Sequence, residues 1–199
     1  LVNDRFSLKA SYAKMSQNIH LLSSSTISLP TDLWLPTTKR IKPQVAHQFA
    51  IGGVYQVNSS IDFSVEGFYK TMDNLLEYKE NDAVLFGSTT GWDDKVEMGK
   101  GWSYGAEFLL RKTVGKTTGW LGYTLSWDKR RFDNLNKGQT YFARNDRRHD
   151  ISLAVTHKFS DKFDVGFSWV YATGNVVTLP THIFEAPAIP NEIGYPVSD

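Results

Sequence analysis

The 199-residue sequence contains no cysteine, which excludes disulfide frameworks, cysteine-based zinc sites and thiol nucleophiles. Neither sign of charge is in excess, because 22 Lys and Arg stand against 21 Asp and Glu. This balance excludes a polycationic nucleic-acid binder and an acidic disordered tail, so we expect no nucleic-acid partner. The hydrophobic content of 41% is that of a folded domain rather than of a disordered chain.

Long hydrophobic runs are also missing. No stretch of about 18 apolar residues occurs, so the sequence offers no candidate transmembrane helix. A membrane protein is not thereby excluded, because apolar and polar residues alternate in transmembrane β-strands and their hydropathies cancel.

Alternation with a period of two is the dominant pattern that is present, and it predicts strands. In the segment 61–70, for example, Phe63 and Val65 lie on one face, and Asp62 and Ser64 lie on the other. Seven segments share this pattern: 5–14, 45–57, 61–70, 102–111, 119–128, 150–159 and 163–172. We therefore expect an all-β fold, an antiparallel up-and-down meander of about seven strands.

The two faces of these strands differ in charge. The apolar face carries no Asp, Glu, Lys or Arg in the strand interiors, and only His47 and His157 interrupt it. The opposite face is small and polar, as expected either of a soluble sheet or of a lipid-facing wall with a wet lumen. In a barrel, the charges that we expect to face the lumen are Lys9, Asp62, Glu66, Lys70, Glu107, Arg111 and Asp128.

The connections between the strands alternate in length. Tight turns are predicted near 58–59, 113–116 and 160–162, whereas long segments fill about 15–44, 72–101 and 129–148. Short turns at one end and long loops at the other are typical of outer-membrane barrels. An interfacial aromatic girdle, rather than the core of a soluble sandwich, is indicated by the aromatics near the long-loop ends: Tyr12, Tyr69, Trp102, Tyr104, Trp127, Trp169 and Tyr171.

Six segments follow one another along the sequence in a characteristic order and spacing: Thr31-Asp32-Leu33-Trp34, Ile41-Lys42-Pro43-Gln44, Ser64-Val65-Glu66-Gly67-Phe68-Tyr69-Lys70, Gly99-Lys100-Gly101-Trp102-Ser103-Tyr104-Gly105-Ala106-Glu107, Gly119-Trp120-Leu121-Gly122-Tyr123-Thr124-Leu125-Ser126 and Asn145-Asp146-Arg147-Arg148-His149-Asp150. These segments resemble the TonB-dependent outer-membrane receptors, particularly those of Bacteroidetes-type bacteria. The resemblance implies a 22-stranded barrel with a plug domain, located in the bacterial outer membrane, that imports a scarce nutrient with energy from an inner-membrane complex.

No plug and no TonB box are recognised in the sequence, so we expect residues 1–199 to be a partial barrel domain. The expected position is internal, in the C-terminal half of the barrel, with the closing strands also absent. Expected partners are outer-membrane lipid, the plug domain of the same protein, the TonB energy-transducing complex, and a small-molecule, glycan or peptide ligand. Four prolines in the stretch 176–199 disfavour an eighth central strand there, so we expect the sheet to be open between its first and last strands.

The long segments contain the candidate ligand-binding residues. Trp34 lies near Asp32, and Trp92 precedes Asp93, and aromatics beside carboxylates can stack on a sugar or bind a cationic ligand. Packing within the loops is the alternative role for these residues. No spacing of the five histidines favours a metal site, and we expect no cofactor.

The segment Asp146-Arg147-Arg148-His149-Asp150 combines acids with a histidine, which permits acid–base catalysis. Its position, where a long loop re-enters a strand, favours a charged strand cap held by ion pairs. We therefore predict a receptor rather than an enzyme. The alternatives are a soluble all-β ligand-binding domain and an outer-membrane enzyme with an Asp/His site at the rim.

Overall fold

A computed structural model describes residues 3–23, 32–79 and 92–176. In these ranges the protein is all-β, with two short 3-10 helices at Trp92–Asp94 and Asn136–Gly138. Among these residues no helix has the length and apolar character needed to cross a membrane. The strands are β1 (Phe6–Gln17), β2 (Ile19–Ser23), β3 (Asp32–Pro36), β4 (Gln44–Asn58), β5 (Ile61–Tyr78), β6 (Val96–Lys112), β7 (Thr117–Arg131), β8 (Tyr141–Phe142), β9 (His149–Ser160) and β10 (Phe163–Ala172).

Seven long strands form one antiparallel sheet in the order β1-β4-β5-β6-β7-β9-β10, which confirms the predicted meander. The two-residue strand β8 pairs with β7 above the end of β9, and β2 and β3 form a separate hairpin. Within the described ranges β1 pairs only with β4, and β10 pairs only with β9, so the sheet is open as predicted. The stretch in which an eighth strand was disfavoured, from 177 onward, lies outside the described residues.

All three predicted tight turns lie at one end of the sheet. Between β4 and β5 the side chain of Asn58 accepts a hydrogen bond from the Ser60 backbone N–H at 2.8 Å. Between β6 and β7 the turn contains Gly115 at φ 108, a left-handed conformation that favours glycine. The long connections therefore lie together at the opposite end, as alternation along an antiparallel meander requires.

A tight turn at 160–162 predicts that Lys158 faces Asp164 and forms an ion pair with it, that Phe159 faces Phe163 and that Val155 faces Phe167. The register of the β9–β10 hairpin confirms part of this prediction and corrects the rest. Asp164 lies opposite Lys158 and Phe167 lies opposite Val155, as expected from a turn at 160–162. Phe163, however, pairs with Ser160 rather than with Phe159, because the register shifts between Phe163 and Asp164.

The ion pair that we expected between Lys158 and Asp164 is also replaced by another. Lys158 Nζ contacts Asp161 Oδ1 at 2.8 Å. Asp161 is three residues from Lys158, in the turn itself. The side chains of Phe159 and Phe163 still meet across the bulge, with ring centroids 5.6 Å apart.

The expected long loops are shorter than predicted, because three strands continue through them. β5 runs to Tyr78, β6 begins at Val96 and β7 ends at Arg131. The alternation could not show this, because Asn74 adopts φ 59 and shifts the register between Asp73 and Leu75. A bulge of this kind adds one residue and reverses the faces of the residues that follow. Asn74 is held by its side-chain amide, which donates to the Pro43 carbonyl at 2.8 Å.

The strand extensions carry packed clusters on both of their faces. Consecutive strand residues point to opposite faces, so Leu75 and Leu76 belong to different clusters. The cluster around Leu76 joins the β2–β3 hairpin to β5 and β6; its buried members are Leu22, Leu35, Ile41, Leu76, Tyr78 and Val96. The cluster around Leu75 includes Phe132 and Leu135 from the segment after β7. The long-loop end is therefore thicker than the single-layered sheet below it.

Candidate functional site: the two faces of the sheet and their rim

A continuous row of aromatic side chains crosses the apolar face at the long-loop end. The register aligns Tyr12, Phe49, Tyr69, Tyr104 and Trp127 on five adjacent strands. Ring centroids are 4.8 Å apart for Tyr12 and Phe49, 6.3 Å for Tyr69 and Tyr104, and 5.4 Å for Tyr104 and Trp127. We call these five residues the aromatic belt. Such a belt is expected where a β-barrel crosses the interface between lipid and water.

Large apolar side chains are exposed between this belt and the tight turns. Ile51 is 65% exposed, Leu8 is 59% exposed and Phe167 is 58% exposed. An exposed apolar patch much larger than a few hundred Å² marks an interaction with a membrane or another apolar surface. The stretch from Ile61, where β5 begins, to Tyr69 contains nine residues, which is the length of strand that a tilted transmembrane segment needs.

All seven charges that we predicted for a lumen lie on the other face, in register positions of the same parity. Lys9 Nζ contacts Glu66 Oε2 at 3.6 Å although the two residues are on strands separated by β4. Gly52 lies between them in the register, and its lack of a side chain leaves room for this contact. Arg111 donates to Asp62 Oδ2 at 2.9 Å near the tight turns.

Glu107 is the charged residue of this face that stands apart. It lies directly opposite Glu66 on the neighbouring strand, it is exposed, and it has no cationic partner among the described residues. Like charges at directly opposed positions are unfavourable. Lys70 and Asp128 flank Ser103 in the register nearer the belt. The face therefore offers a free carboxylate in the middle of the wall and two ion pairs beside it.

The four loop candidates lie in two separate elements. Asp32 is the first residue of β3 and Trp34 is its third, whereas Trp92 and Asp93 belong to the first 3-10 helix. The Trp34 side chain is 60% exposed, so it does not serve internal packing. Asp93 contacts Arg40 at 3.6 Å, and the neighbouring Asp94 accepts a hydrogen bond from the same guanidinium. Asp93 thus has a structural partner, and Trp34 is the more available of the two for a ligand.

The Asp146–Asp150 segment closes the loop after β7 onto the sheet. Asp146 is 7% exposed and accepts hydrogen bonds from the Asp128 backbone N–H at 2.7 Å and from Arg148 at 3.1 Å. The Arg148 guanidinium lies 4.8 Å from the Trp127 ring centroid and 4.9 Å from that of Phe142. These contacts agree with the expected strand cap.

His149 is separated from this carboxylate by its own partner. Its Nδ1 lies 2.9 Å from the Tyr123 hydroxyl. Asp146 and His149 therefore bind different groups, and both hold neighbouring segments of the chain together.

A cluster of hydrogen-bonded polar side chains lies where the segment after β7 meets the sheet. Glu77 accepts from Arg130 at 3.2 Å, and Glu97 accepts from the Asn134 backbone and side chain. Burial raises the pKa of Glu77, and the nearby Arg130 opposes this. Burial, with a further contribution from Glu77, raises the pKa of Tyr141 to about 12.

The sequence did not indicate the two cations, Arg40 and Arg130, that form ion pairs at the long-loop end. Arg40 and Asp94 are 54 residues apart, and Glu77 and Arg130 are 53 apart. No local pattern indicates such pairs; the only available signal was that each cation lies near the end of an alternating segment. In the described ranges no group of three or more His, Asp or Glu side chains is arranged to hold a metal ion.

The sheet is open and antiparallel, and all of its long connections lie at one end. One face is apolar and carries the aromatic belt, and the opposite face is charged. This arrangement is that of a part of a β-barrel. A family model described as "TonB dependent receptor-like, beta-barrel" matches residues 1–187. The chain therefore belongs to the TonB-dependent receptor-like β-barrel family, whose members are transporters typically found in the bacterial outer membrane. No curated protein matches the chain, and no solved structure matches it.

Proposed function

We propose that this chain is part of the wall of an outer-membrane receptor that binds a scarce nutrient outside the cell and imports it. The observation that carries the proposal is the pairing of an exposed apolar face, bounded by the aromatic belt, with a charged face on the same strands. A soluble all-β domain would have to expose the same apolar side chains to water. The family match is the second support.

The charged face is proposed to line the lumen and to contact a plug domain or the passing ligand. Glu107 is the strongest candidate, because it lies opposite Glu66 and lacks a cationic partner among the described residues. A guanidinium or ammonium group of the plug between the two carboxylates would remove their repulsion. Residues 1–199 are proposed to be an internal part of a larger barrel, of the Bacteroidetes type. The plug and the TonB complex are the proposed partners.

The loops are proposed to capture the ligand at the long-loop end. Trp34 is the residue best placed for contact, because 60% of its surface is exposed on the β2–β3 hairpin. Asp32 and Trp92 remain candidates for ligand contact because of their positions in the long connections. Asp93 is proposed to contribute to ligand capture indirectly, through its contact with Arg40. Siderophore, cobalamin, oligosaccharide and peptide are the ligand classes that this proposal covers.

Uptake by whole cells tests the proposal. Cells that make the intact protein, and cells lacking it, are given one radiolabelled representative of each ligand class. Both strains are compared with and without a functional TonB protein. We expect one class to accumulate only when the receptor and TonB are both present. A different result would argue for passive diffusion instead: every ligand class that the receptor admits would accumulate to the same level with and without TonB.

A further inference from the structure

The apolar face carries an unusual set of charges immediately above the aromatic belt. Lys129 follows Trp127 by two residues on β7, and Arg131 follows by four, so both side chains lie on the same face as the belt. Lys100 on β6 is directly opposite Arg131 in the register. We call Lys100, Lys129 and Arg131 the basic rim. Below the belt this face has no charge in the strand interiors, so the change in character is abrupt.

The carboxylates nearby neutralise only part of this charge. Asp73 contacts Lys100 at 3.9 Å, and Asp146 contacts Arg148. Lys129 and Arg131 have no carboxylate partner among the described residues. Two cations at directly opposed positions, such as Lys100 and Arg131, weaken a sheet unless an anion lies between them. The wall therefore presents about two uncompensated positive charges at this level.

Lys129 is held in place by aromatic rings rather than by an acid. Its Nζ lies 5.6 Å from the ring centroid of the belt residue Tyr104 and 5.6 Å from that of Phe142. Phe142 also contacts the Arg148 guanidinium, which lies 4.9 Å from its ring centroid. Contact with aromatic faces positions a cation without neutralising it. The ammonium group is thus fixed at the outer edge of the belt with its charge still available.

The height of the basic rim matches a particular layer of the membrane. Aromatic belts lie at the level of the lipid headgroups. Lys129 and Arg131 are two and four residues beyond the belt, or roughly 7 and 13 Å along a strand, and somewhat less along the membrane normal once the strand tilts. The polar region of one leaflet is several Å thick. Both cations therefore lie where headgroup phosphates are concentrated.

We propose that the basic rim is a binding site for the phosphate groups of lipids in the outer leaflet, with the acyl chains of these lipids lying against the apolar face below the belt. The proposal rests on the proposed location of the barrel in the outer membrane. It differs from the transport function in using the outside of the wall and not its lumen. Charge complementarity selects a phosphorylated lipid over a neutral one.

Lipid binding by the intact receptor tests the site. The purified receptor in neutral detergent is mixed with bisphosphorylated lipid A, or with phosphatidylcholine, and bound lipids are counted by native mass spectrometry. The variant is the double substitution Lys129→Gln and Arg131→Gln. We expect its affinity for lipid A to fall roughly 25-fold, because each of the two basic residues near an anionic headgroup surface is worth about a fivefold change.

The matched control removes two charges at the opposite end of the sheet. Lys112→Gln and Lys116→Gln lie at the tight turn between β6 and β7, far from the proposed site, and should leave the affinity for lipid A unchanged. Lys129→Arg with Arg131→Lys keeps the charges and should restore binding. Equal losses in the rim and turn variants would overturn the proposal. Competition by millimolar inorganic phosphate alone would overturn it too, because it would indicate a site for the free anion.

Membrane insertion of each variant is followed separately, by its heat-dependent shift in gel electrophoresis. A receptor that does not insert into lipid at all contradicts the proposed location. A receptor that inserts but binds lipid A no better than phosphatidylcholine contradicts the lipid site alone.

Discussion

Lys9 on β1 contacts Glu66 on β5 across the whole width of β4, with 3.6 Å between Nζ and Oε2. The strand between them presents Gly52 at this position. Side chains on β1 and β5 can therefore meet at this level of the charged face. A larger residue on β4 at this position would stand between them. Lys9 is exposed and Glu66 is partly exposed, so the contact stabilises the sheet by at most about 1 kcal/mol. The glycine is more important than the ion pair it permits.

Gly52→Ala should therefore destabilise the barrel. A Cβ at this position would lie 2.9 Å from the Val65 carbonyl oxygen and 3.1 Å from Glu66 Cβ, so the β4–β5 ladder has to shift. We expect a loss of about 1–3 kcal/mol in the free energy of unfolding, measured by denaturant titration of the intact barrel in lipid vesicles. Gly166→Ala is the control, because its Cβ would meet nothing closer than Thr156 Oγ1 at 3.9 Å. Equal losses for both variants would contradict the steric explanation.

A charge on the apolar face should be far more harmful than the same charge one residue away. Val65 lies midway between the belt residue Tyr69 and the tight turn before Ile61. Val65→Arg should cost roughly 2–4 kcal/mol, because an arginine at the bilayer midplane faces lipid. Ser64→Arg places the same group on the charged face, and we expect a smaller loss. The measurement is folding into lipid vesicles. Similar losses at both positions would indicate a soluble sheet with two wet faces.

The sequence was sufficient to assign these two faces but not to find the contacts at the long-loop end of the sheet. Val65 and Ser64 are distinguished by alternation alone, because the strand has a period of two. Beyond Asn74 the alternation no longer identifies the faces correctly, because the bulge at Asn74 reverses the faces of Leu75 and Leu76. The seven strands and their order were accordingly predicted correctly, whereas the lumen location of the seven charges on one face stays a prediction.

What the sequence could not show depends either on contacts between distant segments or on the geometry of a single turn. Arg148 stacks on Trp127 only because the segment after β7 folds back on the sheet. The pairing of Lys158 with Asp161 rather than Asp164 is a choice between two carboxylates within six residues. Small differences in turn geometry decide that choice, and residue spacing does not reveal them. The role of Trp34 in ligand capture stays a prediction.

Asp146 should be the residue that holds the segment after β7 in place. Asp146→Ala would leave the Asp128 N–H and the Arg148 guanidinium without the carboxylate that now binds both. Loss of such an acceptor costs about 1–3 kcal/mol. Hydrogen exchange of the backbone amides at 128 and 143–148 should accelerate accordingly. Asp133→Ala removes an exposed carboxylate of the same segment and serves as the control. Unchanged exchange in Asp146→Ala would show that the cation–aromatic contacts suffice.

Tyr141 should report the packing of this segment through its titration. Burial raises its pKa to about 12 from an ordinary value of 10.0, with Glu77 contributing. The folded state therefore prefers the neutral phenol. The stability that this preference contributes is fully present below pH 10.0 and is lost as the pH rises toward 12. The expected result is an opening of the segment over this alkaline range, and not at neutral pH.

The measurement is the ultraviolet absorbance of the phenolate, taken as the difference between the intact receptor and its Tyr141→Phe variant. In denaturant the same difference should titrate near the ordinary pKa of 10.0. Phe132→Ala provides a test of the cause, because Phe132 stacks on Tyr141 with ring centroids 6.4 Å apart. Exposing the ring should move the midpoint back toward the ordinary value. A folded midpoint already at the ordinary value would mean that water reaches Tyr141, and that Phe132 and Leu135 do not form the packed layer described for this end of the sheet.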